Sequence, residues 1–172
     1  MNLLYKICTE NDLQGLVEIS TKTFISAFEK QNDPDDFKAY INKAFSKEQL
    51  KKELLHPNVR FYFVYNGNTL VGYFKLNFKD AQTEPLGNKS IEIERIYVLD
   101  EFQGQQIGKQ MLLIIIEIAK QEQSTFLWLG VWEKNTSAIR FYERYGFLKF
   151  DTHPYYIGND KQTDWLMRLD LV

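Results

Sequence analysis

The chain has 172 residues, 44% hydrophobic and 26% charged, with a formal net charge of -2 and one cysteine. That length predicts a single domain over residues 1–172, and the near-neutral charge without a dense Lys/Arg tract argues against a nucleic-acid partner. A lone Cys8 excludes an internal disulfide and fits a reducing, cytoplasmic compartment. Lys6, Glu10 and Asp12 break any secretory apolar region, and the apolar run Met111–Ile116 is far below the roughly 20 residues of a membrane span, so no membrane association is expected.

In chain order, Leu3 to Cys8 predicts an opening strand. A helix is expected from Asn11 or Asp12, with Leu13, Leu16, Val17, Ser20, Phe24 and Phe28 as its apolar stripe, until Asn32-Asp33-Pro34 interrupts it. Pro34 suits the first turn of a second helix, whose buried side is Phe37, Tyr40, Ile41 and Phe45. Ser46-Lys-Glu-Gln49 resembles a capping box and opens a third, short helix ending near His56-Pro57. Phe61–Tyr65 and Leu70–Phe78, joined by Asn66-Gly67-Asn68, predict an antiparallel hairpin. The polar stretch Asp80–Ser90, with Pro85 and Gly87, reads as a loop.

Ile91 to Ala119 carries the chemistry: an alternating strand Ile91–Val98, a polar loop Gln103–Gly108, then an apolar helix from about Gly108 to Gln121. Glycines let a ligand approach the backbone, and the first turn of a helix presents amides without internal partners, a combination that holds phosphates. Lys109 adds a positive charge. Neither G-x-G-x-x-G nor a loop ending in Gly-Lys-Ser/Thr is present, so from the residues alone a tight strand-to-helix connection fits as well. Thr125–Val131 follows as a short strand. Asn135 or Thr136 then caps a helix with Ala138, Phe141, Tyr142 and Tyr145 on one side and Gly146 at its end. Phe147–Asp151 and Gln162–Leu171 are the last two strands, with His153-Pro154 and Gly158 in a loop between them. The order of elements is that of a mixed α/β domain in two or three layers.

Alternation puts Glu92 and Glu94 on one side of their strand, opposite Ile91 and Ile93. Two such carboxylates can attract a cationic amine, and their repulsion or burial can raise one pKa; a solvated acidic face fits equally. Trp128 and Trp132 either line a ligand site or pack the sheet. Asp33, Asp35 and Asp36 either guide a polycation or start a helix. His56 and His153 each precede proline in predicted loops, and with one distant cysteine they predict no metal site.

Gln103-Gly-Gln-Gln-Ile-Gly108 following Glu94-Arg-Ile-Tyr-Val98 resembles the acetyl-CoA-binding motif of the GNAT superfamily of N-acetyltransferases, and Asn135-Thr-Ser-Ala138-Ile-Arg-Phe141-Tyr142, followed by Tyr145-Gly146-Phe147, resembles its second signature. Glu92-Ile-Glu-Arg-Ile-Tyr97, Trp128-Leu-Gly-Val-Trp-Glu-Lys-Asn135, Tyr156-Ile-Gly and the early Asn-Asp-Leu-Gln are similar to bacterial PaiA-type spermidine/spermine N-acetyltransferases. The resemblance implies a mostly antiparallel central sheet flanked by helices. It implies acetyl-CoA as cosubstrate without a metal, its pyrophosphate on the amides of Gln103, Gly104, Gln105, Gln106, Ile107, Gly108 and Lys109.

It further implies a pantetheine arm beside Ile96, Tyr97 and Val98, which are otherwise core, and a contact from Asn135, which also suits a helix cap. Tyr142 would give a proton to the departing thiolate, and Glu94 would act as base, directly or through water. Glu92, Trp128 and Trp132 would face the acceptor. The resemblance implies direct transfer, so Cys8 reads as a core residue. The expected partner is a polyamine or another primary amine, with a homodimer compatible. A peptide N-terminal acetyltransferase and a CoA-binding regulatory protein without transfer activity are the alternatives.

One position departs from the family, which usually has glycine at Gln106. A need for positive φ there would hurt binding, whereas a helical backbone would keep the N–H donor. The helical account is favoured because Gly104 and Gly108 remain.

Overall fold

The computed structural model describes residues 2–171. In chain order the elements are β1 (Leu3–Ile7), α1 (Leu13–Phe28), α2 (Pro34–Ala44), α3 (Lys47–Leu54), β2 (Val59–Asn66), β3 (Thr69–Phe78), β4 (Ser90–Val98), α4 (Ile107–Gln121), β5 (Phe126–Trp132), α5 (Thr136–Arg144), β6 (Leu148–Ile157) and β7 (Asp160–Asp170). The strands form one sheet in the order β1-β2-β3-β4-β5-β7-β6. Every neighbouring pair is antiparallel except β4–β5, which is parallel. This is the mixed, mostly antiparallel sheet flanked by helices that was expected.

Strand alternation sends apolar side chains to both faces, and each face has its own core. Leu76, Ile91, Ile93, Leu127 and Met167 pack with Met111, Leu112 and Ile115 of α4 and with Ile139 of α5. On the other face Phe61, Phe63 and Tyr73 pack with Leu16 and Phe24 of α1, Phe37 of α2 and Leu50 of α3. The helix starts follow their caps. Asp33 accepts from the amides of Asp35 and Asp36 with Pro34 in the first turn, and Ser46 Oγ accepts from Gln49 N at 3.1 Å. Asp36 also accepts from Asn159 N at 3.2 Å. Helix-start chemistry thus accounts for Asp33 and Asp36, and none of the three acids lines the large cavity described below.

Three local expectations are corrected. The hairpin loop is Gly67-Asn68, with Asn66 already paired to Thr69. Helix α4 begins at Ile107, one residue early. β6 runs through His153-Pro154 to Ile157, so its connection to β7 is only the Gly158-Asn159 turn. Proline is tolerated there because β6 is the edge of the sheet, where a missing N–H costs no ladder bond on the open side.

Two irregularities position the site. β4 and β5 share only three pairs, Ser90–Phe126, Ile91–Leu127 and Glu92–Trp128, although both strands continue beyond them. In the β3–β4 ladder Lys75 faces Arg95 and Leu76 faces Ile93, which leaves Glu94 as the extra residue of a bulge.

Candidate active site

Beyond Glu92 and Trp128 the parallel strands part, and the facing edge of β4 loses its ladder partner. Backbone donors and acceptors left open this way call for a partner of their own. A cavity of about 1080 Å³ fills the gap, walled by Glu94, Ile96, Tyr97 and Val98 of β4 and by Gly130, Val131 and Trp132 of β5. An extended chain bearing amides suits such a gap as an added strand would. Ile96 and Val98 also pack against the core.

At one end of the cavity lies the loop into α4. Gln103 spends its side-chain amide on Val98 O, at 3.2 Å, and Asp100 Oδ1, at 2.9 Å, which ties the loop back to β4. Gln106 has φ 61 and ψ 15, a left-handed backbone. This corrects the expectation of a helical Gln106: the position is the turn that admits the chain to α4, and a side chain there costs about 1–2 kcal/mol.

The backbone bond from Gln110 N to Gln106 O, at 3.2 Å, opens the helix. The amides of Ile107, Gly108 and Lys109 precede it and have no helical acceptor; these three residues, with Gln103, Gly104 and Gln106, line the cavity. Gln105 is exposed and outside the lining. A Cβ at Gly108 would meet no protein atom nearer than Val98 Cγ2 at 3.9 Å, so any demand for glycine there comes from the cavity side.

Helix α5 supplies the opposite wall. Asn135 Oδ1 accepts from Ala138 N at 3.2 Å and from Ser137 Oγ at 3.1 Å, and Asn135 lines the cavity as well, so the cap and the wall are one residue. Tyr142 is 9% exposed and lines the cavity. Burial pushes its phenol up, so it keeps its proton at neutral pH. Ser26, Asp100, Ser137 and Arg144 also line the cavity and were not singled out from the sequence. Ser137 and Arg144 lay within or beside the second signature, but nothing local marks Ser26 or Asp100, which meet only in the fold.

The two glutamates separate. Glu94, at the bulge, faces the cavity, with Lys75 Nζ at 2.5 Å, Asn77 Nδ2 at 2.6 Å and Arg95 Nη2 at 3.7 Å. Burial pushes its carboxyl up, but Lys75 and then Arg95 outweigh it and hold it at about 2. Glu92 is 3% exposed and outside the lining, accepting from Thr83 N at 2.8 Å, Thr83 Oγ1 at 2.6 Å and Asn77 Nδ2 at 3.1 Å. Its carboxyl is raised, by burial first and then by Glu94. The raised carboxyl is thus the one that anchors the β3–β4 loop, and the one at the cavity is depressed. Lys75, inward-facing on β3, decides this.

The tryptophans separate too. Trp128 is fully buried, its Nε1 donating to Gln82 Oε1 at 2.7 Å, whereas Trp132 lines the cavity. Cys8 is buried, its thiol pushed up to about 12 by desolvation. Among the described residues no group of three or more His, Cys, Asp or Glu side chains is placed to hold a metal ion.

The acetyltransferase (GNAT) family profile matches residues 13–147. The chain belongs to this family. It is 37% identical over 164 residues to an uncharacterized N-acetyltransferase in the pepI 3′ region of Lactobacillus delbrueckii subsp. lactis, covering 95% of each chain. It is 26% identical over 145 residues to a spermidine N(1)-acetyltransferase of Thermoplasma acidophilum, covering 82% of this chain and 85% of that one. The crystal structure of the PaiA N-acetyltransferase of that organism in complex with coenzyme A superposes with a TM-score of 0.78 at 21% identity, covering 99% of each chain.

As a GNAT protein the chain is an acetyl-CoA-dependent acetyltransferase, and its own residues suit the cosubstrate. Open helix-start amides would suit a pyrophosphate, and the open edge of β4 would suit an amide-bearing arm.

Proposed function

We propose that this GNAT protein acetylates a primary amine of a polyamine such as spermidine or spermine. The observation that carries the reading is Glu94, a carboxylate kept ionised by Lys75 and Arg95 in the wall of the cavity where the two strands part. A relative whose name specifies spermidine, similar over most of both chains, supports it.

When bound, acetyl-CoA supplies an activated thioester; the amine gains an N–C bond as the C–S bond breaks, the nitrogen loses a proton and the sulfur takes one. The residues of the protein manage charge and protons around that exchange. Amides at the start of α4 bind phosphate oxygens, and the free edge of β4 orients the arm. Glu94 Oε2 is taken by Lys75 and Asn77, and Oε1, with only Arg95 at 3.7 Å, is the oxygen left to accept from the amine. A polyamine nitrogen with a lysine-like pKa near 10.4 costs about 4 to 5 kcal/mol to deprotonate at pH 7. A carboxyl near 2 does not keep that proton, so Glu94 orients the nitrogen or a water that passes the proton to solvent. Tyr142 holds a proton on Oη for the sulfur, since its burial disfavours the phenolate.

Thiol release from acetyl-CoA over a panel of polyamines, amino acids and short peptides tests the reading. Saturable turnover of spermidine or spermine is expected. Turnover of peptide N-termini with none of polyamines overturns it.

A further inference from the structure

Asp164, on β7, stands in the wall of the same cavity and has no part in the steps above. It is 8% exposed, and the neighbour that engages its carboxylate is His153. His153 Nε2 lies 3.6 Å from Oδ2, and its Nδ1 is engaged by Glu84 Oε1 at 2.8 Å. A carboxylate held by one long contact in the wall of a cavity keeps acceptor capacity for a further donor.

Gly130 keeps Asp164 reachable. Its φ is not left-handed, so the backbone does not require glycine. A Cβ there, however, would come within 3.2 Å of Asp164 Oδ2 and 3.3 Å of His153 Nε2. Bare backbone therefore separates Glu94 on β4 from Asp164 on β7. The order β4-β5-β7 puts two strand steps between them, and because β4 and β5 part beyond Glu92 and Trp128 the separation exceeds the roughly 10 Å of two paired steps. Trp132, directly across the ladder from Asp164, also lines the cavity and offers an aromatic face to a cation.

We infer that Asp164 is the specificity-determining anchor for a second, protonated nitrogen of the acceptor, held while an uncharged nitrogen reacts near Glu94. The acceptor class this selects is a long aliphatic diamine or polyamine, and a monoamine leaves the anchor unused. The inference rests on the polyamine reading above and assigns one residue to its selectivity.

The test compares spermidine with butylamine, acetyl-CoA being saturating, for the unsubstituted chain, Asp164→Asn and Gly130→Ala. Asp164→Asn removes the charge and keeps the shape. Its KM for spermidine rises, and the ratio of kcat/KM for spermidine to that for butylamine falls, by about tenfold to a hundredfold, as for a lost charged hydrogen bond. Gly130→Ala crowds the carboxylate without discharging it and moves the ratio the same way. It keeps the test decisive if Asp164→Asn does not fold, as judged by thermal unfolding. Absence of polyamine turnover in the unsubstituted chain overturns the substrate reading and the anchor with it. Normal polyamine turnover with an unchanged ratio in both variants, or equal losses on both amines, overturns the anchor alone.

Discussion

Tyr142, Glu94 and His153 differ in what holds their protons, and each difference is measurable. Tyr142 packs edge-on against Phe141 and Phe147, so Tyr142→Phe keeps the packing and removes only Oη. Turnover is expected to fall about a hundredfold or more with little change in acetyl-CoA affinity; undiminished turnover would remove its acid role. Glu94→Gln is expected to lower kcat/KM for a polyamine by about 1.5–3 kcal/mol without moving the acidic limb of the pH profile, because a carboxyl at about 2 does not titrate there. A displaced limb would show that Glu94 itself holds the proton. Lys75 keeps Glu53 at 2.9 Å in that variant, so its charge is not left bare. A depressed folded pKa stabilises above the ordinary value near 4.5 and is lost as pH falls towards 2, a contribution on the order of 3 kcal/mol.

His153 has the opposite sign. Asp164 foremost, and Glu84, raise its pKa against burial. Its contribution is therefore full below about 6.5 and is lost as pH rises through the higher folded value. The melting temperature of the protein should fall over that range relative to His153→Gln, and parallel curves would count against it.

At the scale of elements, the start of α4 carries the clearest cost. Gln106 is left-handed in a residue type that rarely is, at the position where the family usually has glycine. Gln106→Gly is expected to stabilise the fold by about 0.5–1 kcal/mol, the relief of strain exceeding the added freedom of the unfolded chain. A lower melting temperature would contradict it. Asn135→Ala should cost about 1 kcal/mol as a lost cap and weaken acetyl-CoA binding, since the same residue lines the cavity. The cap itself was legible, because Asn before an apolar-periodic run has a local cause. So were Pro34, Ser46 and Gly146. The strand through His153-Pro154 was not, because proline reads as a breaker until the sheet order shows β6 at the edge. The bulge at Glu94 was hidden as well, since a bulge belongs to the pairing of two strands.

For the whole molecule, the parting of β4 and β5 couples binding to stability. Anything that fills the gap binds only the folded chain, so acetyl-CoA at a hundred times its dissociation constant should add about 2.7 kcal/mol. That corresponds to a rise in melting temperature of roughly 5–11 °C for a chain of this size. An unchanged melting temperature in a well-folded sample would contradict the assignment of the cavity. The cluster of Lys75, Arg95, Glu53 and Glu94 joins β3, β4 and α3 beneath the same wall, so the charge of the site is set by an element far away in the chain.

Taken alone, the order of residues determined most of the elements, several of their caps, the glycine-bearing loop and the second signature, because periodicity, capping and turn chemistry act over a few neighbouring positions. The tertiary structure decided which tryptophan and which glutamate face the cavity, the depressed carboxyl of Glu94, the left-handed Gln106 and the meeting of Asp164 with Gly130 and His153. Each of these depends on a strand register or a packed neighbour distant in the chain, and such distances leave no periodic trace in the sequence.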